Sequence, residues 1–296
     1  MITNRQSPFG VLLDIDGVLY VGKRPIDGAP EALAELRELS AALRLVTNTT
    51  SRPRRAILEH LHGLGFEVAP EEVLTPAAMA ERHCRERGYR SVALLVSEGL
   101  REDFTALESA PLGPNTDAVV LGDLGEDFTP VVLNSAFRAL MAGAELVTLQ
   151  HNRYWRRADG LALDVGAYAA ALEYASGVEA VVVGKPARAF FDAAMADIGL
   201  GAGVMIGDDV EADVAGAMAA GLPGILVRTG KYRHDALTAR VTPSAIVDSI
   251  REVPALLRRM PIGAETPGPE RPGDPLAGLA ARPGAPAVAG ELSQRR

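Results

Sequence analysis

The sequence has little of what several protein classes require. Its 296 residues include one cysteine, so no intrachain disulfide can form and a reducing compartment is favoured. No apolar run approaches the roughly 20 residues needed to cross a bilayer, and residues 1–10 lack the features of a signal peptide. The net charge of −8 argues against a general nucleic-acid surface. We therefore expect a cytoplasmic protein without a membrane or nucleic-acid partner.

What the sequence does contain is typical of a globular α/β protein. Apolar residues make up 48% of the chain and charged residues 23%. Short apolar runs alternate with segments of helical periodicity, which indicates parallel strands covered by helices. The predicted strands are 9–13, 43–46, 91–96, 118–121, 145–149, 180–183, 204–206 and 224–227. The predicted helices are 30–39, 54–64, 131–141, 167–175, 189–198 and 212–220.

Polar motifs follow only some of these strands, and this difference suggests the domain organisation. They follow the strands that end near 13, 46, 183 and 206, whereas the strands near 94, 120 and 147 end in ordinary loops. We therefore predict a Rossmann-like, doubly wound core of residues 1–78 and 179–260, split by an inserted α/β domain of residues 79–178. Residues 261–296 are rich in proline and glycine and are predicted to be a disordered tail. Cys84 is predicted to be structural.

The first motif places two carboxylates, Asp14 and Asp16, where an apolar strand meets Gly17. Aspartate and glycine are ordinary turn residues, so a simple turn is one interpretation. Carboxylates crowded at the end of a buried strand nevertheless repel one another unless a cation lies between them. The motif therefore also indicates a hard metal ion, a nucleophilic carboxylate, or both.

Three later motifs occupy equivalent places after strands. They are Thr47-Asn48, Gly184-Lys185-Pro186, and Gly207-Asp208-Asp209 with Asp213. Each alone has a structural interpretation as a turn, a surface lysine or a helix cap. The carboxyl ends of parallel strands converge on one crevice, however, so a single site could hold all four motifs. A nucleophilic carboxylate, a magnesium ion, a lysine and a hydroxyl are the groups that phosphoryl transfer requires.

In this order the four motifs resemble the haloacid dehalogenase superfamily of phosphatases. The resemblance implies that Asp14 is the nucleophile and that Asp16 is the general acid and base. It also implies that Thr47 and Lys185 bind the phosphoryl group, and that Asp208 is an acidic ligand of Mg²⁺.

The same resemblance extends to the surroundings of these groups. Asp14 and the main-chain carbonyl of Asp16 would join Asp208 in binding Mg²⁺, and the backbone around Asn48 would bind phosphate. Asp209 and Asp213 would be partners of the ligands, of water or of Lys185. The expected substrate is a small phosphorylated molecule or inorganic pyrophosphate, hydrolysed through an aspartyl-phosphate intermediate.

The insertion resembles the cap domain of subclass IIA of that superfamily. Motifs at 161–166, 171–175 and 183–186 are similar to the branch that contains phospholysine phosphohistidine inorganic pyrophosphate phosphatase. Close animal relatives in that branch carry serine at the position of Asp16, so their substrate range does not transfer directly. Family behaviour is also compatible with a homodimer formed through the cap.

Some alternatives stay open at this stage. The segment 151–160 combines cations and aromatic residues, and it is interpreted either as a substrate-facing hairpin or as a solvated hairpin whose Trp155 covers the cap core. Two rival functions are a receiver-like signalling module and a catalytically silent phosphate-binding scaffold. The receiver fits less well because its acidic pair would come first in the chain, whereas Asp208 and Asp209 come late.

Overall fold

The computed structural model describes residues 8–157, 160–233 and 241–262, which form two parallel sheets with helices around them. We name the larger sheet the core sheet and the smaller one the cap sheet. The core sheet has the strand order Ala245–Val247, Gly224–Val227, Gly203–Gly207, Gly10–Asp14, Ala42–Val46 and Val73–Leu74. The cap sheet has the order Val181–Val182, Glu145–Thr148, Ala118–Leu121 and Val92–Leu95. This confirms the predicted α/β fold.

Helices flank both sheets, and several begin at a clear capping signal. Thr75, Thr129 and Asp164 each accept a hydrogen bond from a backbone N–H in the first turn of the helix that follows. The α-helices are Ala29–Leu39, Arg54–Gly63, Pro76–Glu86, Pro130–Met141, Val165–Ser176, Arg188–Ile198, Gly216–Ala219 and Val253–Leu257, and Val210–Ala215 is π-helical. Two antiparallel hairpins join Tyr20–Val21 to Arg24–Pro25 and Tyr154–Arg157 to Gly160–Leu163.

The apolar residues of the strands divide between two faces, because successive side chains of a strand point in opposite directions. Val11 and Leu13 lie in one hydrophobic cluster of the core sheet, whereas Leu12 lies in another. That second cluster also contains Leu94 and Val147 from the cap sheet. One continuous hydrophobic cluster therefore includes residues of both sheets.

All eight predicted strands are present, each with ends within one residue of the prediction. One of them, however, belongs to a different sheet from the one that the sequence predicts. We assigned the strand at 180–183 to the core, whereas Val181–Val182 pairs in parallel with Glu145–Thr148 of the cap sheet. A short apolar run fits either sheet equally well, so its sequence could not decide between them. The other domain boundaries stay a prediction.

The remaining sequence predictions have mixed outcomes. Cys84 is fully buried, and burial raises the pKa of its thiol to about 12, as expected for a structural cysteine. Of the predicted tail 261–296, all but the first two residues lie outside the described residues, and Ile262 is buried against the core. Within the described ranges we find no helix whose length and apolar character would let it cross a bilayer.

Candidate active site

Three neighbouring strands of the core sheet bring most of the predicted site together. Asp14 ends the strand Gly10–Asp14, and Val46 lies opposite it in register, so Thr47 follows at the same edge. On the other side, Leu13 pairs with Ile206, and Asp208 comes directly after the strand Gly203–Gly207. All three strands are parallel, so their carboxyl ends meet as the sequence predicted.

Lys185 reaches this edge from the cap sheet and is fixed there by Asn48. The Asn48 side chain accepts a hydrogen bond from the Lys185 backbone N–H at 2.8 Å and donates one to the Lys185 carbonyl at 2.8 Å. These two bonds occupy the Asn48 amide group with the backbone of Lys185. The prediction that this segment binds phosphate therefore depends on the backbone around Asn48, and the Asn48 side chain joins the cap strand to the core.

The Lys185 ammonium group lies between two carboxylates. Its Nζ atom donates to Oδ1 of Asp14 and to Oδ1 of Asp213, both at 2.6 Å, and all three side chains are buried. Burial alone would lower the pKa of Lys185, but Asp14 and Asp213 outweigh that effect and raise it above the usual value. Lys185 therefore carries its positive charge at neutral pH.

Burial also acts on the predicted nucleophile. It raises the pKa of Asp14, and the nearby charge of Asp208 adds to that effect, whereas the ammonium group of Lys185 opposes it. The buried lysine thus favours the ionised carboxylate, which is the form able to attack phosphorus.

Asp208 is enclosed so closely that only glycine fits beside it. A β-carbon on Gly17 would lie 1.9 Å from Oδ2 of Asp208, and one on Gly230 would lie 2.0 Å from it. Both glycines have positive φ angles, which other residues rarely adopt. The Oδ2 atom accepts a hydrogen bond from the backbone N–H of Lys231 at 2.6 Å. Burial and the charge of Asp213 raise the pKa of Asp208 to about 6.

The other oxygen of Asp208 shows that a cation fits this site. Within the described ranges, Oδ1 is buried and has no hydrogen-bond partner, an arrangement that is costly for a carboxylate without a compensating ion. Ligand atoms of Asp14, Asp208 and Asp213 all lie within 4.8 Å of one another. Oxygen ligands of this kind suit Mg²⁺. The fold therefore presents a candidate magnesium site.

The three acids of this cluster differ in what else they contact. Both carboxylate oxygens of Asp213 accept hydrogen bonds, one from Lys185 and one from the backbone N–H of Asp209 at 3.1 Å. Asp213 is therefore placed to hold Lys185, as the sequence suggested for it. Asp209 instead accepts hydrogen bonds from Glu211 and Ala212 and caps the π-helix.

A cavity of about 360 Å³, partly open to solvent, joins these groups. Thr47 is buried at this cavity, where its hydroxyl accepts a hydrogen bond from the Thr49 backbone N–H at 3.1 Å, while Asp16 is only half-buried. The cavity brings together every predicted site residue except Asp208, which is buried with a ligand atom within 4.8 Å of those of Asp14 and Asp213. The lining residues are Asp14, Asp16, Thr47, Asn48, Thr49, Asn152, Lys185, Asp209, Ala212, Asp213 and Lys231.

Three polar lining residues, Thr49, Asn152 and Lys231, were missed by the sequence analysis. The position of Lys231 could have indicated a site residue, because it comes after the core strand Gly224–Val227 just as the other motifs come after their strands. Asn152 belongs to the segment 151–160, which was singled out without a role for this residue. The side chain of Trp155 lies outside the described residues, so its predicted role stays open.

Asn152 is held at the cavity by a network within the cap. Its backbone N–H donates to Oε1 of Gln150 at 2.6 Å, and the Gln150 amide donates in turn to the carboxylate of Asp164. The backbone N–H of Gly166 donates to the Asn152 carbonyl at 3.0 Å. A β-carbon on Gly166 would lie 2.5 Å from the His151 carbonyl, so the close approach of this loop requires glycine.

Comparison with known proteins agrees with this arrangement. A family profile described as haloacid dehalogenase-like hydrolase matches residues 11–109, and one described as HAD-hydrolase-like matches residues 182–253. Human phospholysine phosphohistidine inorganic pyrophosphate phosphatase is 40% identical over 257 residues, which is 84% of this chain and 93% of that protein.

Solved structures show the same fold. A p-nitrophenyl phosphatase from Archaeoglobus fulgidus superposes with a TM-score of 0.76 at 27% identity and covers 84% of this chain and 99% of its own. A glycerol phosphate phosphatase from Mycobacterium tuberculosis, in complex with magnesium, superposes with a TM-score of 0.70 at 31% identity. That match covers 82% of this chain and 76% of the mycobacterial chain.

Proposed function

The chain belongs to the haloacid dehalogenase-like hydrolases and is a phosphatase, and we propose that it requires Mg²⁺ and uses an aspartyl-phosphate intermediate. Its proposed substrates are small phosphorylated metabolites or inorganic pyrophosphate. The supporting observation is the buried arrangement in which Lys185 links Asp14 to Asp213 beside the unpartnered oxygen of Asp208. Family membership argues against the receiver-like alternative. The presence of Asp14, Asp16, Thr47 and Lys185 at one cavity argues against the silent one.

We assign the steps of the reaction to residues of this site. A carboxylate oxygen of Asp14 attacks phosphorus, and Asp16 donates a proton to the departing oxygen. Asp16 then removes a proton from the water that hydrolyses the acyl phosphate. The Thr47 hydroxyl, the backbone near Asn48 and the Lys185 ammonium group stabilise the phosphoryl oxygens.

A bound magnesium ion would neutralise charge that develops on the phosphoryl group. Asp14, Asp208 and the main-chain carbonyl of Asp16 are the residues that would hold it. This role suits the buried Oδ1 of Asp208, which otherwise has no partner among the described residues. A cytoplasmic location and a homodimer formed through the cap stay predictions.

A substrate panel tests the proposed function. We expect the purified chain to hydrolyse p-nitrophenyl phosphate and at least one compound among pyrophosphate, phospholysine, sugar phosphates and nucleotides. Hydrolysis should require Mg²⁺, stop when EDTA removes the metal, and resume when excess Mg²⁺ is added. Absence of hydrolysis across the panel with Mg²⁺ present would refute the proposal.

The role proposed for Asp16 leads to a separate prediction. We expect Asp16→Asn to lower kcat by about 10²- to 10⁴-fold, because an amide cannot protonate the leaving oxygen or activate water. Stabilisation of the fold by Mg²⁺, measured as a shift in melting temperature, should persist because only the main-chain carbonyl of Asp16 is a proposed ligand. An unchanged kcat would show that another group transfers the proton.

A further inference from the structure

Lysine is rare in this chain, and its distribution is uneven. Of the 30 lysine and arginine residues, only Lys23, Lys185 and Lys231 are lysines. Two of these three, Lys185 and Lys231, line the candidate active-site cavity. Lys23 lies exposed in the turn between Tyr20–Val21 and Arg24–Pro25. Positive charge at this cavity is therefore supplied by the residue type that the chain otherwise almost avoids.

The backbone of Lys231 is fixed to the catalytic loops. Its N–H donates to Oδ2 of Asp208 at 2.6 Å, and the neighbouring Thr229 hydroxyl donates to the Gly17 carbonyl. Gly230, between them, fits so closely that a β-carbon would lie 2.4 Å from the Cα atom of Gly17. The loop therefore cannot move Lys231 away from the site without breaking contacts to Asp208 and Gly17.

The side chain of Lys231, by contrast, is only weakly held. It is 69% exposed, and its Nζ atom lies 3.6 Å from Oδ2 of Asp209, which is longer than a hydrogen bond. An exposed ion pair of this kind contributes little to stability. Lys185 is 3% exposed and makes two bonds of 2.6 Å. Lys185 is thus held by hydrogen bonds to Asp14 and Asp213, whereas Lys231 can exchange its weak ion pair with Asp209 for one with an incoming anion.

The charges around the cavity indicate what such an anion would need. Asp16 and Asp209 line the same cavity as Lys231 and would repel a leaving group that is itself negative. In the proposed reaction the phosphoryl group under attack lies beside Asp14 and Lys185, whose side chains are buried. Lys231 is the second lysine that lines the cavity, and its exposed side chain can reach a further anionic group attached to that phosphoryl group. A lysine ammonium group binds phosphate as a compact point charge and does not require a fixed bidentate geometry.

We propose that Lys231 is a specificity residue that binds a leaving group already anionic in the bound substrate and thereby favours inorganic diphosphate over esters whose leaving portion is uncharged before the bond breaks. This inference rests on the proposed phosphatase function. In the reaction, the bond between the attacked phosphorus and the bridging oxygen breaks while a bond from Asp14 forms. The departing phosphate keeps the electron pair and takes a proton from Asp16, and water then releases the second phosphate. Lys231 exchanges no proton and acts through its charge.

Kinetics of a lysine variant test this inference. We expect Lys231→Met to lower kcat/KM for diphosphate by about 10- to 100-fold, as for the loss of one hydrogen bond to a charged group. The value for p-nitrophenyl phosphate should change by less than about threefold, because its p-nitrophenyl group is uncharged in the bound substrate and the departing phenolate spreads its charge over the ring and the nitro group. Lys231→Arg should recover most of the activity on diphosphate. Lys23→Met is the matched control and should leave both substrates unaffected.

A chemical readout that does not depend on turnover complements the kinetics. With only three lysines, acetylation of each amine can be followed by peptide mass spectrometry. We expect the non-hydrolysable analogue imidodiphosphate, with Mg²⁺, to slow acetylation of Lys231 several-fold. Lys23 should react at an unchanged rate, and the buried Lys185 should react little in either condition. Orthophosphate at the same concentration should protect Lys231 less.

Different experimental results would overturn the role of Lys231 and the proposed phosphatase function. An equal loss of activity on diphosphate and p-nitrophenyl phosphate in Lys231→Met would overturn the inference, since it would show a general rather than a specificity role. Lack of protection of Lys231 by a concentration of imidodiphosphate that inhibits the enzyme would overturn it as well. Hydrolysis of p-nitrophenyl phosphate without hydrolysis of diphosphate by the unaltered chain would also overturn the inference alone. Absence of hydrolysis across the whole substrate panel would instead overturn the proposed function, and the inference with it.

Discussion

Replacement of Asp14 by asparagine should abolish the hydrolysis of p-nitrophenyl phosphate, with a loss in kcat on the order of 10³-fold or more. The amide has nearly the same shape as the carboxylate but is a far weaker nucleophile, so the acyl phosphate cannot form. Lys185 would keep its 2.6 Å bond to Asp213, and the site would lose one of its buried negative charges. The fold should therefore persist while the chemistry stops.

The measurement compares Asp14→Asn with a matched substitution elsewhere. Asp27→Asn removes the same charge from a fully exposed side chain outside the described cavity lining, and it should leave kcat unchanged. Melting temperatures of both variants would establish that each is folded. Substantial turnover by a folded Asp14→Asn protein would rule out Asp14 as the nucleophile.

The fold was largely predictable because its long strands carry a strong signal. Val11, Leu12 and Leu13 are apolar in succession, and a strand buried on both faces requires this pattern. The short strands Val73–Leu74 and Ala245–Val247 were missed because two or three residues show no period. The predicted helix 212–220 is in fact split between the π-helix Val210–Ala215 and the helix Gly216–Ala219. The hydrogen-bond spacing that distinguishes a π-helix from an α-helix leaves no mark in the pattern of apolar and polar side chains.

The candidate site was predictable where it depends on strand ends and unpredictable where it depends on contacts between segments distant in sequence. Asp14, Thr47 and Asp208 follow core strands, so sheet topology alone brings them together. The bonds between Asn48 and Lys185 join residues 137 positions apart. No local pattern marks such a pair, and none distinguishes the amide that positions a lysine from one that binds phosphate.

Asp209 shows the same limit among adjacent acids. The sequence places it beside Asp208, and both were expected to serve the metal site or its surroundings. In the structure, backbone direction separates them, because Asp208 points between Gly17 and Gly230 while Asp209 caps the following turn and faces Lys231. Charge counting alone could identify the acidic cluster, whereas the division of roles depends on which backbone N–H groups each carboxylate meets.

Replacement of Lys185 by methionine should produce the largest loss of stability, about 3–5 kcal/mol in the free energy of unfolding at pH 7. Methionine fills a similar volume but leaves Asp14 and Asp213 buried without their shared cation. The size of the loss reflects unpaired charge, so removing one of the two acids should recover part of it. We expect the double variant Lys185→Met, Asp213→Asn to be more stable than Lys185→Met alone, as measured by urea denaturation in EDTA.

The pH dependence of the Lys185→Met variant separates unpaired charge from lost packing. Burial already raises the pKa of Asp14 and raises that of Asp213 to about 6, and loss of the ammonium group removes the main effect that opposes this. The folded state then binds more protons than the unfolded state above about pH 4, so its stability falls as the pH rises through the folded pKa values. The deficit relative to the unaltered chain should therefore be smaller at pH 5 than at pH 8. A deficit that stays constant over that range would mean that Lys185 supports the fold by packing and that the carboxylates beside it are not left charged.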